Sequence, residues 1–204
     1  MALSLRKKET LRLNLMNWYT ADNHWGHDKI IGYTGRPFGS VYEMNKTMID
    51  RWNECVDKDD TVVHLGDFCF PEKLNIDLLL ASLNGHIILV KGNHDKKKTM
   101  NALREHGHVI VETSVLELLI WPGIGRVVAT HRPVYPAGTP DPFKDHNAKV
   151  DPDQFDLILS GHIHEKRLWT GKSLNIGVDQ WNFYPVSQEE ITKAYLKHGG
   201  LDGN

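Results

Sequence analysis

His86-Ile87-Ile88-Leu89-Val90 followed, after Lys91, by Gly92-Asn93-His94-Asp95 is the stretch that decides how this chain is read: a strand-like apolar run that ends in an amide, an imidazole and a carboxylate. A buried strand does not end in three polar side chains unless something binds them. A Gly-Asn turn after a strand is also ordinary turn chemistry, so the argument rests on recurrence. Four other apolar runs stop in the same way. Leu15–Thr20 precedes Asp22 and His24, Thr61–Leu65 precedes Gly66-Asp67, Arg126–Thr130 precedes His131, and Leu157–Ser160 precedes Gly161-His162-Ile163-His164. In open α/β sheets the ligand crevice lies outside the carboxyl ends of the strands, so five such ends, though spread along the chain, can converge on one site. Glycine stands before the polar residue at positions 66, 92 and 161, which suits tight turns and close backbone approach.

At 204 residues the chain is long enough to bury a substantial core. We expect one α/β domain over residues 16–204, preceded by a basic extension over 1–15 that is expected to be disordered or to add a strand turn, with Met16 a candidate natural start. A net charge of −2 with 25% charged residues gives no global electrostatic case for nucleic acid or membrane binding, and no apolar stretch reaches the roughly 18–20 residues of a membrane span. Two cysteines make neither a disulfide framework nor a thiolate metal site. A reducing, cytoplasmic setting is the expectation.

The periodicities predict a helix opened by Ser40 and Glu43 at capping-box spacing, with Met44, Met48, Ile49, Trp52 and Val56 on one face. A second helix is expected from Pro71 to Leu83, and a third beginning with Lys96-Lys97-Lys98. Ser187 and Glu190 repeat the capping-box spacing at a last helix. Trp25–Phe38 reads as a loop beside the crevice. Residues 132–155 form the longest Pro/Gly-punctuated stretch, leave directly from His131, and read as a candidate lid.

The chemistry follows from residue types. His162 and His164 stand two apart, as do Asp22 and His24, so that in a continuing strand each pair points to one side. With Asp67, Asn93 and His131 they make seven oxygen and nitrogen ligands without sulfur. That set suits divalent manganese, iron, zinc, cobalt or nickel, with manganese favoured, rather than a four-ligand structural zinc site. Seven ligands are too many for one such ion and suit two sharing a carboxylate. Any of these residues alone would be a cap or turn residue; jointly, in order and at strand ends, they are read as metal ligands.

In this order Asp-x-His, Gly-Asp, Gly-Asn-His-Asp, a lone His after a strand and Gly-His-x-His resemble the calcineurin-like metallophosphoesterase superfamily over roughly residues 17 to 186. His24-Trp25-Gly26-His27, Arg36-Pro37-Phe38, His64-Leu65-Gly66-Asp67-Phe68 and Gly177-Val178-Asp179-Gln180-Trp181-Asn182 resemble a compact bacterial and phage branch of it. The resemblance implies a four-layer sandwich, two mixed β-sheets flanked by helices. It also implies Asp22, His24, Asp67 and His164 around one metal and Asp67, Asn93, His131 and His162 around the other, with Asp67 as the bridge. By the same resemblance His94 is the acid that meets the leaving group, and Asp95 is its orienting partner.

The expected function is hydrolysis of phosphate mono- or diesters, small nucleotide-type esters above all. A metal-bridging hydroxide, available near neutral pH because the ions lower the pKa of water to roughly 7, attacks phosphorus in line while His94 protonates the departing oxygen. His27, Arg36 and Arg132 are candidate contacts to substrate phosphate. Two readings compete: a nuclease acting on nucleic acid ends, which lacks a basic, aromatic-interleaved stripe, and a catalytically silent scaffold, which would have no need of all seven ligands and His94. Composition and spacing leave the native metal, the choice of mono- or diester and the oligomeric state open.

Overall fold

Successive residues of a strand face opposite sides, and in the central strands of this protein both sides are apolar. The computed structural model describes residues 17–113, 115–136, 138–140 and 150–199. One sheet contains β1 (Asn17–Thr20), β2 (Thr61–His64), β3 (His86–Val90), β4 (Val109–Val111) and β10 (Val186–Ser187); the other contains β5 (Val115–Trp121), β6 (Gly125–Thr130), β7 (Leu157–Ser160), β8 (Trp169–Thr170) and β9 (Ser173–Asn175). Trp18, Val62, Ile87 and Leu89 point into a core shared with helices, while Tyr19, Val63 and Val90 point into a second core against Val127, Ala129, Leu157 and Leu159 of the other sheet. Each fully buried Val or Leu contributes roughly 1.5–3 kcal/mol, and a one-residue slip would exchange the two cores. Register is therefore fixed on both faces: Trp18 pairs with Val62, and Val62 with Ile87.

Strands β1 to β4 run parallel in the order of the chain, with β10 antiparallel beside β1. The crossovers carry α1 (Asp28–Thr34) and α2 (Val41–Cys55), then α3 (Ile76–Ser82), then α4 (Lys97–Glu105). Right-handed crossovers between parallel neighbours put successive helices on one face. Met44, Met48, Trp52, Ile76, Leu79, Leu80 and Leu103 accordingly share one core. The second sheet has the order β5-β6-β7-β9-β8, with β6, β7 and β9 parallel and β5 and β8 antiparallel at the edges. Its outer face buries Val128 and Ile158 under Phe155, Val134 and Val150. A fifth helix, α5 (Gln188–Lys197), sets Ile191 and Tyr195 into the core between the sheets. Among the described residues, two mixed sheets and five helices make the expected metallophosphoesterase architecture.

Local chemistry explains where element boundaries depart from expectation. Ser40 Oγ accepts from Glu43 N, but the Glu43 carboxylate turns to Gly39 N, so only half of the capping box forms. At Ser187 and Glu190 both halves are present. The second predicted helix starts at Ile76 rather than Pro71, because Asn75 caps it by accepting from Leu78 N. The Trp25–Phe38 segment is not all loop: α1 forms there, buries Ile30, and is stopped by Gly35 at φ 65°. The described ends of the candidate lid are pinned to the second sheet, with Val134 N donating to Ser173 Oγ. Residues 1–16, which carry the expected extension and the candidate start Met16, lie outside the described residues, as do 137 and 141–149 of the lid.

Candidate metal centre

The polar residues that follow β1, β2, β3, β6 and β7 meet at the carboxyl ends of both sheets. They arrive there through turns rather than extended strand. Asp22, His24, Asp67, His162 and His164 have φ of 59°, 51°, 56°, 70° and 49°; they are five of the seven non-glycine residues at positive φ among the described residues. The condition that strand continues through His162 and His164 is not met: β7 ends at Ser160, and the two imidazoles fall in neighbouring groups. Left-handed backbone costs such residues on the order of 1–3 kcal/mol each and persists only where surrounding bonds dictate it. Those bonds are present: Asp22 N donates to Gly66 O and His24 N to Asp67 O, both at 3.0 Å, and His162 N donates to Asp22 Oδ2 at 2.7 Å.

Glycine makes the convergence possible. A Cβ on Gly161 would stand 2.5 Å from Asp22 Oδ2, and one on Gly92 would stand 2.5 Å from both Asp67 N and Asp67 Oδ1. No other residue lets these loops approach so closely.

Two groups of side chains result, each with ligand atoms within 4.8 Å of one another: Asp22, His24 and His164, and Asp67, His131 and His162. Asp67 Oδ2 is 3.5 Å from His24 Nε2 and 3.5 Å from His131 Nε2, so one carboxylate oxygen lies between the two groups. His131 Nδ1 donates to Leu65 O at 2.7 Å, which leaves Nε2 of the neutral ring as a bare acceptor. That nitrogen faces Asn93 Oδ1 at 3.0 Å and His162 Nδ1 at 3.2 Å. Lone pairs packed at such distances repel unless a cation or a proton lies among them. Nitrogen and oxygen ligands at roughly 2.0–2.2 Å from a divalent ion are spaced about 3 Å from one another, so the residues fit a metal. On the other side, Asp22 Oδ1 and His24 Nε2 are buried without a hydrogen-bond partner, as ligand atoms awaiting a cation would be.

The titration behaviour reflects the same crowding. Burial raises the Asp22 carboxyl to about 6 and lowers the His24 imidazole well below its ordinary value. Burial opposes ionisation of Asp67 too, yet His131 and His24 hold its carboxyl well below the usual range. Burial alone would lower His131; the Asp67 and Asp22 charges outweigh it and raise the ring to about 9. A proton there takes the place a cation would hold.

Other expected residues fall differently. Asn93 and His94 are exposed at the rim; the His94 ring lies 5.6 Å from that of His24, and the main-chain N–H of His94 donates to Asp67 Oδ1 at 2.8 Å. Asp95 does not orient His94: its buried carboxylate accepts from Asp67 N, Phe68 N and Gly92 N at 2.8–2.9 Å, clamping two site loops together. Arg36 is not a substrate contact either. It is buried, and its guanidinium is taken up by Asp179 and by the carbonyls of Asp22 and Asn23. Arg132 Nη2 lies 3.5 Å from Asn93 Oδ1. His27 stacks on Phe70 with centroids 4.1 Å apart, beside His24. His64 is a core histidine: Nδ1 accepts from Gly66 N, Nε2 donates to Asn23 Oδ1, and burial pushes it down to about 3. Sequence reasoning gave no role to Asp179, which accepts from His164 Nδ1 at 2.8 Å; its only signal was the Gly177-Val178-Asp179 motif.

Paired Asp/His groups at the strand ends of two mixed sheets define a metallophosphoesterase-type protein. A profile of the calcineurin-like phosphoesterase superfamily domain matches residues 40–179, more than half of the chain. The chain belongs to the calcineurin-like phosphoesterase superfamily. It is 32% identical over 186 residues to an uncharacterised protein of Methanocaldococcus jannaschii, covering 87% of this chain and 89% of the relative. Gene 66 protein of Mycobacterium phage L5 is 25% identical over 196 residues, covering 85% of this chain and 91% of its own length. A crystal structure of an Aquifex aeolicus protein of unknown function superposes with a TM-score of 0.68 at 24% identity, covering 89% of this chain and all of that one, which is a likeness of fold. No described helix is long and apolar enough to cross a membrane.

Proposed function

We propose that this protein is a dinuclear metal-dependent phosphoesterase acting on small phosphate mono- or diesters of nucleotide type. The observation that carries the reading is Asp67 Oδ2, 3.5 Å from a histidine nitrogen of each ligand group. Asp22, His24, Asp67 and His164 would hold one ion and Asp67, Asn93, His131 and His162 the other, with manganese the favoured metal. When bound, two such ions clamp phosphate oxygens and lower the pKa of water to roughly 7, so that a nucleophile is available for in-line attack.

The chain's own residues do the rest. His131 is held in the tautomer that turns Nε2 inward by its bond to Leu65 O, and His164 likewise by Asp179. Neutral Asn93 adds a ligand oxygen without cancelling positive charge, which favours an anionic substrate. His94, exposed at the rim, is positioned to give its proton to the departing ester oxygen. Arg132, beside Asn93, is the remaining candidate for a phosphate oxygen, together with His27, which stacks on Phe70 beside His24. Two free cysteines, Cys55 and Cys69, accord with a cytoplasmic setting.

The test is turnover of an aryl phosphodiester by chelator-treated protein with and without added Mn²⁺, together with a panel of nucleotides and cyclic nucleotides. Manganese-dependent hydrolysis that is lost in Asp67→Asn is expected. No turnover with any divalent ion would leave a scaffold and refute the enzyme. Turnover of polynucleotides that falls steeply with salt would replace the small ester with nucleic acid.

A further inference from the structure

Arg36 and Asp179 form a buried ion pair behind the metal centre. Arg36 Nε and Nη2 grip Asp179 Oδ1 and Oδ2 at 2.8 and 2.9 Å, and the side chains are 0% and 3% exposed. Nη2 also donates to Asp22 O at 2.7 Å and Nη1 to Asn23 O at 2.9 Å, so one cation ties the Asp22 turn to the segment after β9. Phe183, itself at φ 60°, lies 5.7 Å from the guanidinium and packs on Phe38. Asp179 is therefore fixed in place and in charge, and its Oδ2 receives His164 Nδ1 at 2.8 Å.

The second ligand group is built differently at its inner histidine. The inner histidine there, His131, is backed by the neutral carbonyl of Leu65. A carboxylate behind a ligating imidazole strengthens it as a donor more than a carbonyl does, and removing such a partner typically costs 10–100-fold in metal affinity. We propose that Asp179, fixed by Arg36, is a positioning residue that sets the metal affinity of the Asp22–His24–His164 position and leaves the Asp67–His131–His162 position unaffected. The proposal rests on the two-ion reading above.

The experiment is a calorimetric Mn²⁺ titration of the chelator-treated full chain. His162→Asn leaves the first position intact and His164→Asn leaves the second; Asp179→Asn is added to each. The expected result is about a 10–100-fold loss of Mn²⁺ affinity on adding Asp179→Asn to His162→Asn, and no change on adding it to His164→Asn. Equal losses in both backgrounds, or none in either, overturn the proposal. Asp179→Asn strands the Arg36 charge; if it does not fold, Arg36→Met with Asp179→Asn, which leaves no buried charge unpaired, is titrated in both backgrounds beside Arg36→Met alone, so that the loss of the Arg36 bonds to the Asp22 turn is subtracted and the same outcomes decide. The parent is titrated alongside. Fewer than two equivalents bound would overturn the two-ion reading and this inference with it; two equivalents that ignore Asp179 overturn this inference alone.

Discussion

Gly92→Ala probes the site without replacing a ligand. The new Cβ would stand 2.5 Å from Asp67 N, 2.5 Å from Asp67 Oδ1 and 3.0 Å from Gly66 C, where ordinary contact begins at 3.4 Å. About 1 Å must be relieved, and two of the three neighbours are backbone atoms that cannot swing aside. Gly92 is not among the glycines at positive φ, so alanine meets no backbone penalty and the whole effect is contact. Asp67 is tied through its N–H to Asp95 and through Oδ1 to His94 N, so strain at position 92 reaches the oxygen facing His24 and His131. Overpacking of this kind costs about 1–3 kcal/mol, which for a domain of this size lowers Tm by roughly 2–4 °C per kcal/mol. A misplacement near 1 Å at reacting groups costs on the order of 10²-fold in turnover. Scanning calorimetry, metal analysis and aryl phosphodiester hydrolysis read the three consequences. Gly32→Ala is the control: it has nothing within 4 Å, lies inside α1, and should gain about 0.5–1 kcal/mol. A Gly92→Ala protein with the parent's Tm, metal content and rate would refute the argument that this contact holds Asp67.

Three further outcomes are expected. His94→Asn keeps the main-chain bond to Asp67 and should keep both ions; it should lose about 10²–10⁴-fold on alkyl or ribose esters but little on nitrophenyl esters. Equal loss on both would move His94 from proton donation to phosphate binding. If two ions bind as proposed, Asp67→Asn removes the anion between dications that otherwise repel, so metal analysis should find at least one ion lost along with turnover, and two ions retained at the parent's rate would exclude the bridge. Asp95→Asn turns an amide nitrogen toward N–H donors and should destabilise by about 1.5–3 kcal/mol or more, as loss of charge-assisted hydrogen bonds does. The dependence of rate on leaving-group pKa should not change in that variant; a slope like that of His94→Asn would restore Asp95 as its orienting partner.

The residues that the sequence made legible and those it hid differ in where their partners lie. Strands β1, β2, β3, β6 and β7 could be read because apolar runs that fill two cores must stop abruptly where polar side chains begin, and the stop itself marks the crevice. Helix α1 was hidden because it has only seven residues, contains Gly32 and buries one side chain, Ile30, too little for a periodic pattern. The left-handed backbone at Asp22, His24, Asp67, His162 and His164 has no local signal, since it is imposed by bonds such as Asp22 N to Gly66 O that join distant segments. Asp67 and Arg36 make the contrast sharpest. Both are charged residues in motifs that the resemblance singles out, one read as a metal ligand and the other as a contact to phosphate. Asp67 keeps an oxygen directed at two histidines and between two ligand groups, whereas Arg36 spends its donors on Asp179 and on two carbonyls. A sequence reveals that a polar residue needs a partner; only the fold tells whether the chain already supplies it. Arg36 therefore supports the turns behind the candidate centre and Asp67 lies between its two groups of side chains, although the sequence had pointed Arg36 at substrate phosphate and Asp67 at metal.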